Sequence, residues 1–126
     1  MLYHTSLCVP DVPQAGEFYD RVLAPLGMTR IWKLEPLAIG YGRTRGEFWL
    51  QSPDHMPFLE LTRHGHFAFA CETREQVGKV HDAAVEAGGR SIVPPSADPA
   101  IGPDYFAAIV EDPDGHVIEI LRWSGE

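Results

Sequence analysis

Three residues of this sequence, His4, His66 and Glu119, have side chains of the types that bind divalent metal ions. Glu119 lies in an apolar segment, where a carboxylate buried without a partner would be costly. It therefore faces either solvent or a group that needs negative charge. Two neutral imidazoles and one carboxylate suit Fe(II), Mn(II), Zn(II), Ni(II) or Co(II). Three protein ligands would leave coordination positions open, as in a catalytic rather than a structural site.

The segment that carries Glu119 is predicted to be the last strand of the chain. The sequence Asp-Pro-Asp-Gly at 112–115 is typical of a tight turn, since Gly supplies the positive φ that closes it. Residues 116–123 are then mostly apolar and partly β-branched, which favours a strand. Alternation along that strand turns Glu119 away from the layer into which its isoleucine neighbours pack.

The predicted elements occur twice in the same order, which indicates an internal duplication of about 60 residues. Each half contains a strand, a helix and three further strands. In the first half these elements are predicted at 3–9, 14–23, 29–33, 37–41 and 47–51. In the second half they are predicted at 66–71, from 72 or 73 to the glycines at 88–89, and at 91–93, 104–111 and 116–123. Residues 52–63 are predicted to be a connector, and 94–103 a Pro-rich loop.

The duplication makes the candidate ligands equivalent to one another. His4 and His66 lie at the start of equivalent strands, each on a face lined by small residues. The segment 48–50 corresponds to 118–120, so Trp49 is the counterpart of Glu119.

Four stretches carry a resemblance to a known family: His4, the helix end Phe-Tyr-Asp-Arg-Val-Leu-Ala-Pro-Leu-Gly at 18–27, His-Phe-Ala-Phe at 66–69, and Asp-Pro-Asp-Gly-His-Val-Ile-Glu-Ile at 112–120. With them the chain resembles the vicinal oxygen chelate superfamily of glyoxalase I, fosfomycin- and bleomycin-resistance proteins and extradiol dioxygenases. The resemblance implies an α+β fold. In it, two tandem βαβββ modules form a curved, cup-shaped mixed sheet around a metal, with the helices outside.

The whole chain, 1–126, is predicted to be one glyoxalase-like domain. Module one is expected at about 2–52, the connector at 53–63 and module two at about 64–123.

The resemblance also implies where metal ligands lie, namely at His4, Trp49, His66 and Glu119. Trp49 departs from the family pattern, because an indole can neither ligate a metal nor act as a base. This departure argues against lactoylglutathione lyase activity, while the remaining two histidines and glutamate match the facial triad of extradiol dioxygenases. Glu60 is an alternative fourth ligand, but only five residues separate it from His66, which disfavours that assignment.

Three residues are predicted to contact the substrate. Trp49 is expected to face into the cup and to stack on a flat substrate. Gln51 shares its face of the strand, and Phe106 is predicted to line the cup as well. The other histidines have no equivalent in the opposite half and are predicted to be surface or turn residues: His55, His64, His81 and His116.

Composition limits the partners and the compartment. The net charge of −8, with no basic cluster, argues against nucleic acid and anionic membranes. No apolar run is of transmembrane length. Cys8 and Cys71 do not form a disulfide framework, and a cytoplasmic location is expected. The resemblance implies a small-molecule substrate and a homodimer.

Two functions follow. The first is a metal-dependent enzyme, in which a divalent ion chelates adjacent oxygens of a small substrate for lyase, isomerase or dioxygenase chemistry. The alternative is a metal-independent binding or drug-sequestering protein of the bleomycin-resistance type, which the indole at Trp49 favours.

Overall fold

The computed structural model describes residues 1–124, which form two compact units. The first unit is Met1–Arg63 and the second begins at His64. Each contains a strand, a helix and three further strands in that order, so the predicted α+β fold of two βαβββ modules is confirmed. No helix in residues 1–124 is long and apolar enough to cross a membrane.

In the first unit, one helix covers one face of a four-stranded mixed sheet. Asp11 caps the helix by accepting a hydrogen bond of 2.9 Å from the backbone N–H of Gln14. A 3-10 turn at Ala24–Leu26 follows the helix and ends at Gly27, which has a φ of 71°. The elements are β1 (Thr5–Cys8), α1 (Val12–Leu23), β2 (Thr29–Leu34), β3 (Ala38–Gly42) and β4 (Phe48–Gln51). The sheet order is β1-β4-β3-β2, with β1 and β4 parallel.

The second unit repeats this arrangement. Thr73 caps the helix with a hydrogen bond of 3.1 Å from the backbone N–H of Gln76. The elements are β5 (His66–Ala70), α2 (Arg74–Glu86), β6 (Arg90–Ala97), β7 (Phe106–Glu111) and β8 (Val117–Arg122). The sheet order is β5-β8-β7-β6, with β5 and β8 parallel.

Each sheet has one strongly apolar, buried face. Alternate residues of the strands lie on this face and pack beneath the helix of the same unit. In the first unit they include Leu7, Ile39, Tyr41, Phe48 and Leu50, and in the second Ala108, Val110, Ile118 and Ile120. The opposite face carries Trp49 and Gln51 in the first unit and His66 and Glu119 in the second.

The prediction for β6 was wrong in its length. Instead of a strand at 91–93 and a Pro-rich loop, the strand extends over Arg90–Ala97 and contains Pro94 and Pro95. Proline is tolerated here because β6 is the edge strand and its register with β7 shifts twice along this stretch.

Of the two alternatives predicted for His116, a surface or a turn residue, the surface one is wrong. Its side chain is only 1% exposed, and Nδ1 lies 2.9 Å from Oδ2 of the equally buried Asp112. The same carboxylate accepts a 2.8 Å hydrogen bond from the His116 backbone N–H. His116 therefore stabilises the turn before β8, on which Glu119 is carried.

Candidate functional site

In the second unit, the backbone brings His66 and Glu119 together. Ala68 of β5 lies opposite Glu119 of β8, and His66 is two residues earlier on the same face. Nε2 of His66 lies 3.5 Å from Oε1 of Glu119. The side chains are 57% and 19% exposed, respectively, so both remain accessible to a ligand.

The other carboxylate oxygen of Glu119 has a partner that sequence reasoning missed. Tyr105, which is only 8% exposed, donates a hydrogen bond from Oη to Oε2 of Glu119. Burial, together with this hydrogen bond, raises the pKa of Tyr105 to about 12. The hydroxyl therefore stays protonated and remains a donor at neutral pH.

The strand register separates Phe106 from Tyr105 and Glu119. Glu119 pairs with Ile109, and Phe106 pairs with Arg122, so Phe106 lies on the opposite face of the sheet from Glu119. The guanidinium of Arg74, from α2, lies 4.8 Å from the centre of the Phe106 ring. Phe106, which was predicted to line the cup, thus lies on the helix side of its sheet.

The alternation of odd- and even-numbered residues between the two faces of the final hairpin could have identified Tyr105. A strand pairing of Glu111 with Val117 across the turn places odd-numbered residues of both strands on one face. Tyr105 shares that face with Glu119.

In the first unit, the position equivalent to Glu119 holds Trp49. Trp49 lies opposite Ser6 in the register of β1 and β4, just as Glu119 lies opposite Ala68. Its ring lies over Gly40, where an added Cβ would come within 2.7 Å of the indole. The centres of the Trp49 and Trp32 rings are 5.3 Å apart. The first unit therefore has an aromatic surface where the second has an acidic one.

Polar groups border this aromatic surface. His4 precedes β1, is exposed, and has its ring centre 5.9 Å from that of Trp49. Gln51 is only 4% exposed and donates a 3.0 Å hydrogen bond from Nε2 to Oγ of Ser6. The indole Nε1 of Trp49 is buried and finds no hydrogen-bond partner within residues 1–124.

Glu60 is not at the fourth ligand position. It is exposed and lies in the connector, outside every strand, whereas Trp49 lies on β4. Trp49, and not Glu60, therefore occupies the strand position at which the family pattern has a ligand.

His66 and Glu119 fit a divalent metal in donor type and spacing. Nitrogen and oxygen ligands about 2.1 Å from a tetrahedral ion lie about 3.4 Å apart, and the two atoms here are 3.5 Å apart. His4 belongs to the first unit. Among residues 1–124, no group of three or more His, Cys, Asp or Glu side chains is arranged to hold a metal ion. The three-ligand set therefore stays a prediction.

Comparison of the sequence with models of known protein families finds one matching family. The model of the Glyoxalase/Bleomycin resistance protein/Dioxygenase superfamily matches residues 2–120. No curated protein matches the sequence significantly.

Solved structures with this fold are numerous. A glyoxalase/bleomycin resistance protein from Albidiferax ferrireducens T118 is 26% identical, with a TM-score of 0.78 over 96% of this chain and 97% of its own. A glyoxalase-related enzyme from Fulvimarina pelagi is 22% identical, with a TM-score of 0.75 over 98% and 88%. Lactoylglutathione lyase from Agrobacterium tumefaciens is 19% identical, with a TM-score of 0.69 over 97% and 92%. The last two are similar in fold alone.

Proposed function

The chain belongs to the glyoxalase/bleomycin resistance protein/dioxygenase superfamily, and we propose that within it the protein is a metal-dependent enzyme acting on a small molecule. One observation carries the proposal: Nε2 of His66 and Oε1 of Glu119 lie 3.5 Å apart on one accessible sheet face. A histidine nitrogen and a carboxylate oxygen so placed are suited to one divalent ion. An ion would also offset the cost of a largely buried carboxylate.

In this proposal His66 and Glu119 hold Fe, Mn, Zn, Ni or Co, and the family resemblance adds His4 as a third ligand. The ion, when bound, supplies Lewis-acid polarisation of two adjacent substrate oxygens. Glu119 contributes negative charge, and the neutral hydroxyl of Tyr105 holds that carboxylate in place. The reaction is lyase, isomerase or dioxygenase chemistry. Because position 49 holds a tryptophan and not a carboxylate, the mechanism would use Glu119 as its single acidic ligand.

The test is the metal content of protein purified without added metal, measured by mass spectrometry, together with melting temperatures in Mn, Fe, Co, Ni and Zn salts. We expect bound metal and a raised melting temperature, since a ligand that binds only the folded state stabilises it. His66→Ala should abolish both.

Glu111→Gln is a matched control, because Glu111 lies on the same sheet but pairs with Arg90 at 2.9 Å. Wild-type protein without metal, and without a thermal shift in any of these salts, would contradict the proposal.

A second function, metal-independent binding or sequestration of a planar molecule, is favoured by the first unit. Trp49 and Trp32 offer two aromatic rings whose centres are 5.3 Å apart. A planar ligand would stack on the exposed part of these rings. Quenching of tryptophan fluorescence by aromatic ligands that persists in EDTA would support this function. Quenching that needs metal would count against it.

We also propose that the protein is a homodimer, as the family resemblance implies. Light scattering on a sizing column tests this: a mass near 28 kDa is expected, about twice the 14.0 kDa of one chain. A mass of one chain would contradict it.

A further inference from the structure

We propose that Tyr105 is a positioning residue, which holds the Glu119 carboxylate in the orientation that metal binding needs. The inference rests on the proposed metal-dependent function and goes beyond it by naming the group that supports one ligand. Its starting observation is that Tyr105 Oη donates to Oε2 of Glu119, while Oε1 is the oxygen nearer to His66.

The two carboxylate oxygens therefore have separate roles. A free glutamate side chain rotates about its last torsion, so either oxygen could approach a cation. The hydrogen bond from Tyr105 engages Oε2 and restricts this rotation. Oε1 is left 3.5 Å from Nε2 of His66, with its lone pairs available. Glu119 then binds an ion through one oxygen, next to the histidine nitrogen. Partners of this kind hold metal ligands in many proteins and affect metal affinity strongly.

Tyr105 is itself held rigidly enough to position another side chain. Its backbone N–H donates to the Gly102 carbonyl at 3.3 Å, and its own carbonyl accepts from the N–H of Asp98 at 3.3 Å. Its ring meets that of Trp123 edge to face, with the centres 5.5 Å apart. The indole of Trp123 lies so close to Gly102 that a Cβ there would be 2.8 Å from Nε1. The loop before β7 is thus packed around the tyrosine.

The duplication supplies an independent observation. Ile109 pairs with Glu119 and Gly40 pairs with Trp49, so these two pairs are equivalent. Four residues before Ile109 is Tyr105, and four residues before Gly40 is Pro36. The position equivalent to Tyr105 in the first unit, where Trp49 replaces the carboxylate, therefore carries no hydroxyl. A tyrosine needed merely for the fold would be expected in both units.

The experiment compares Tyr105→Phe with wild-type protein. Phenylalanine keeps the ring contact with Trp123 and removes only the hydroxyl, so the variant should fold. Metal-free protein is titrated with CoCl2 in a calorimeter, and the visible absorption spectrum of the cobalt-loaded protein is recorded. We expect Tyr105→Phe to raise the Kd about 10- to 100-fold. It should also change the cobalt spectrum, since the freed carboxylate binds differently.

Tyr41→Phe is the matched control, because Tyr41 is a buried tyrosine of the first unit whose hydroxyl contacts Asp20. It should leave the Kd and the spectrum unchanged. A wild-type Kd and spectrum in Tyr105→Phe would overturn the positioning role while leaving the metal function intact. A change of equal size in Tyr41→Phe would also overturn it, because the effect would then be a general loss of stability. Wild-type protein that binds no cobalt, nor any of the other metals, would overturn both proposals together.

Discussion

In the first unit Trp49 lies opposite Ser6, and in the second unit Glu119 lies opposite Ala68 at the same position of the register. The sheet orders, β1-β4-β3-β2 and β5-β8-β7-β6, are the same. The two units therefore share a backbone plan but present different chemistry: an aromatic surface in one and a carboxylate beside a histidine in the other.

The contrast between Trp49 and Glu119 lies on one face of each sheet. The residues that flank Trp49 and Glu119 in sequence, such as Leu50 and Ile120, point to the other face and are fully buried in both units. Packing against a helix demands apolar side chains there, whatever the function. The opposite face is free of that demand. Its divergence therefore indicates where the two halves have taken on separate roles.

The largest expected effect tests whether the buried, helix-facing sides of the two sheets are equivalent. Leu50→Ala and Ile120→Ala should each lower the free energy of unfolding by about 2–5 kcal/mol, because each leaves a cavity beneath its helix. Urea denaturation followed by circular dichroism measures both. Since the positions are equivalent, we expect similar losses. A large loss in one unit and almost none in the other would show that the two packed faces are not equivalent.

The next prediction tests whether Glu119 and Trp49, at equivalent positions, have different roles in metal binding. Glu119→Gln should weaken binding of Mn²⁺ or Co²⁺ about 100-fold, which corresponds to about 2.7 kcal/mol, because it removes the negative charge beside His66. Trp49→Phe, at the equivalent position, should leave metal affinity unchanged, since neither ring is a ligand. Isothermal titration calorimetry on metal-free protein measures both constants. Equal effects of the two substitutions would contradict the division of roles.

A third prediction concerns the glycine that makes room for the indole. Gly40→Ala should destabilise the protein by about 1–3 kcal/mol, because the new methyl group meets the Trp49 ring. The equivalent residue of the second unit, Ile109, lies beside a smaller side chain and needs no such space. In a Trp49→Ala background the penalty should disappear. A double-mutant cycle from urea denaturation measures the coupling between Gly40→Ala and Trp49→Ala. A loss of stability that persists in the Trp49→Ala background would contradict the explanation.

Much of this architecture could be predicted from the sequence, because periodicity and turn residues set the order of elements. The duplication then predicted that Trp49 is the counterpart of Glu119. The register of β1 with β4 and that of β5 with β8 confirm that the two positions are equivalent. Elements at a sheet edge were harder to predict. In β6, Pro94 and Pro95 indicated a loop, but an edge strand has one side without partners and tolerates them.

Side-chain partners were the least predictable part of the site. Whether Tyr105 or Phe106 faces Glu119 depends on the register of one hairpin, and a shift of one residue exchanges the two faces. The burial of His116 depends on its contact with Asp112, which the residue types alone do not distinguish from an exposed turn.

The smallest expected effect concerns a feature that both units have, a buried tyrosine hydroxyl beside a carboxylate. Tyr41 contacts Asp20 and Tyr105 contacts Glu119. Burial, followed by the hydrogen bond to the carboxylate, raises the pKa of both hydroxyls, that of Tyr105 to about 12. Tyr41→Phe and Tyr105→Phe should each cost about 1 kcal/mol at pH 8 in EDTA, the typical value of one hydrogen bond.

That cost should shrink as the pH rises. A tyrosine in the unfolded chain ionises near pH 10, with a pKa of about 10, whereas the folded Tyr105 keeps its proton up to about pH 12. The unfolded state therefore loses its proton first, so the contribution of the hydroxyl is complete below pH 10 and is lost between pH 10 and 12. Urea midpoints at pH 8, 10 and 11 measure this, with the exposed Tyr3→Phe as control. A difference from wild type that stays constant with pH would show that these hydroxyls stabilise the two units by packing and not through their carboxylate partners.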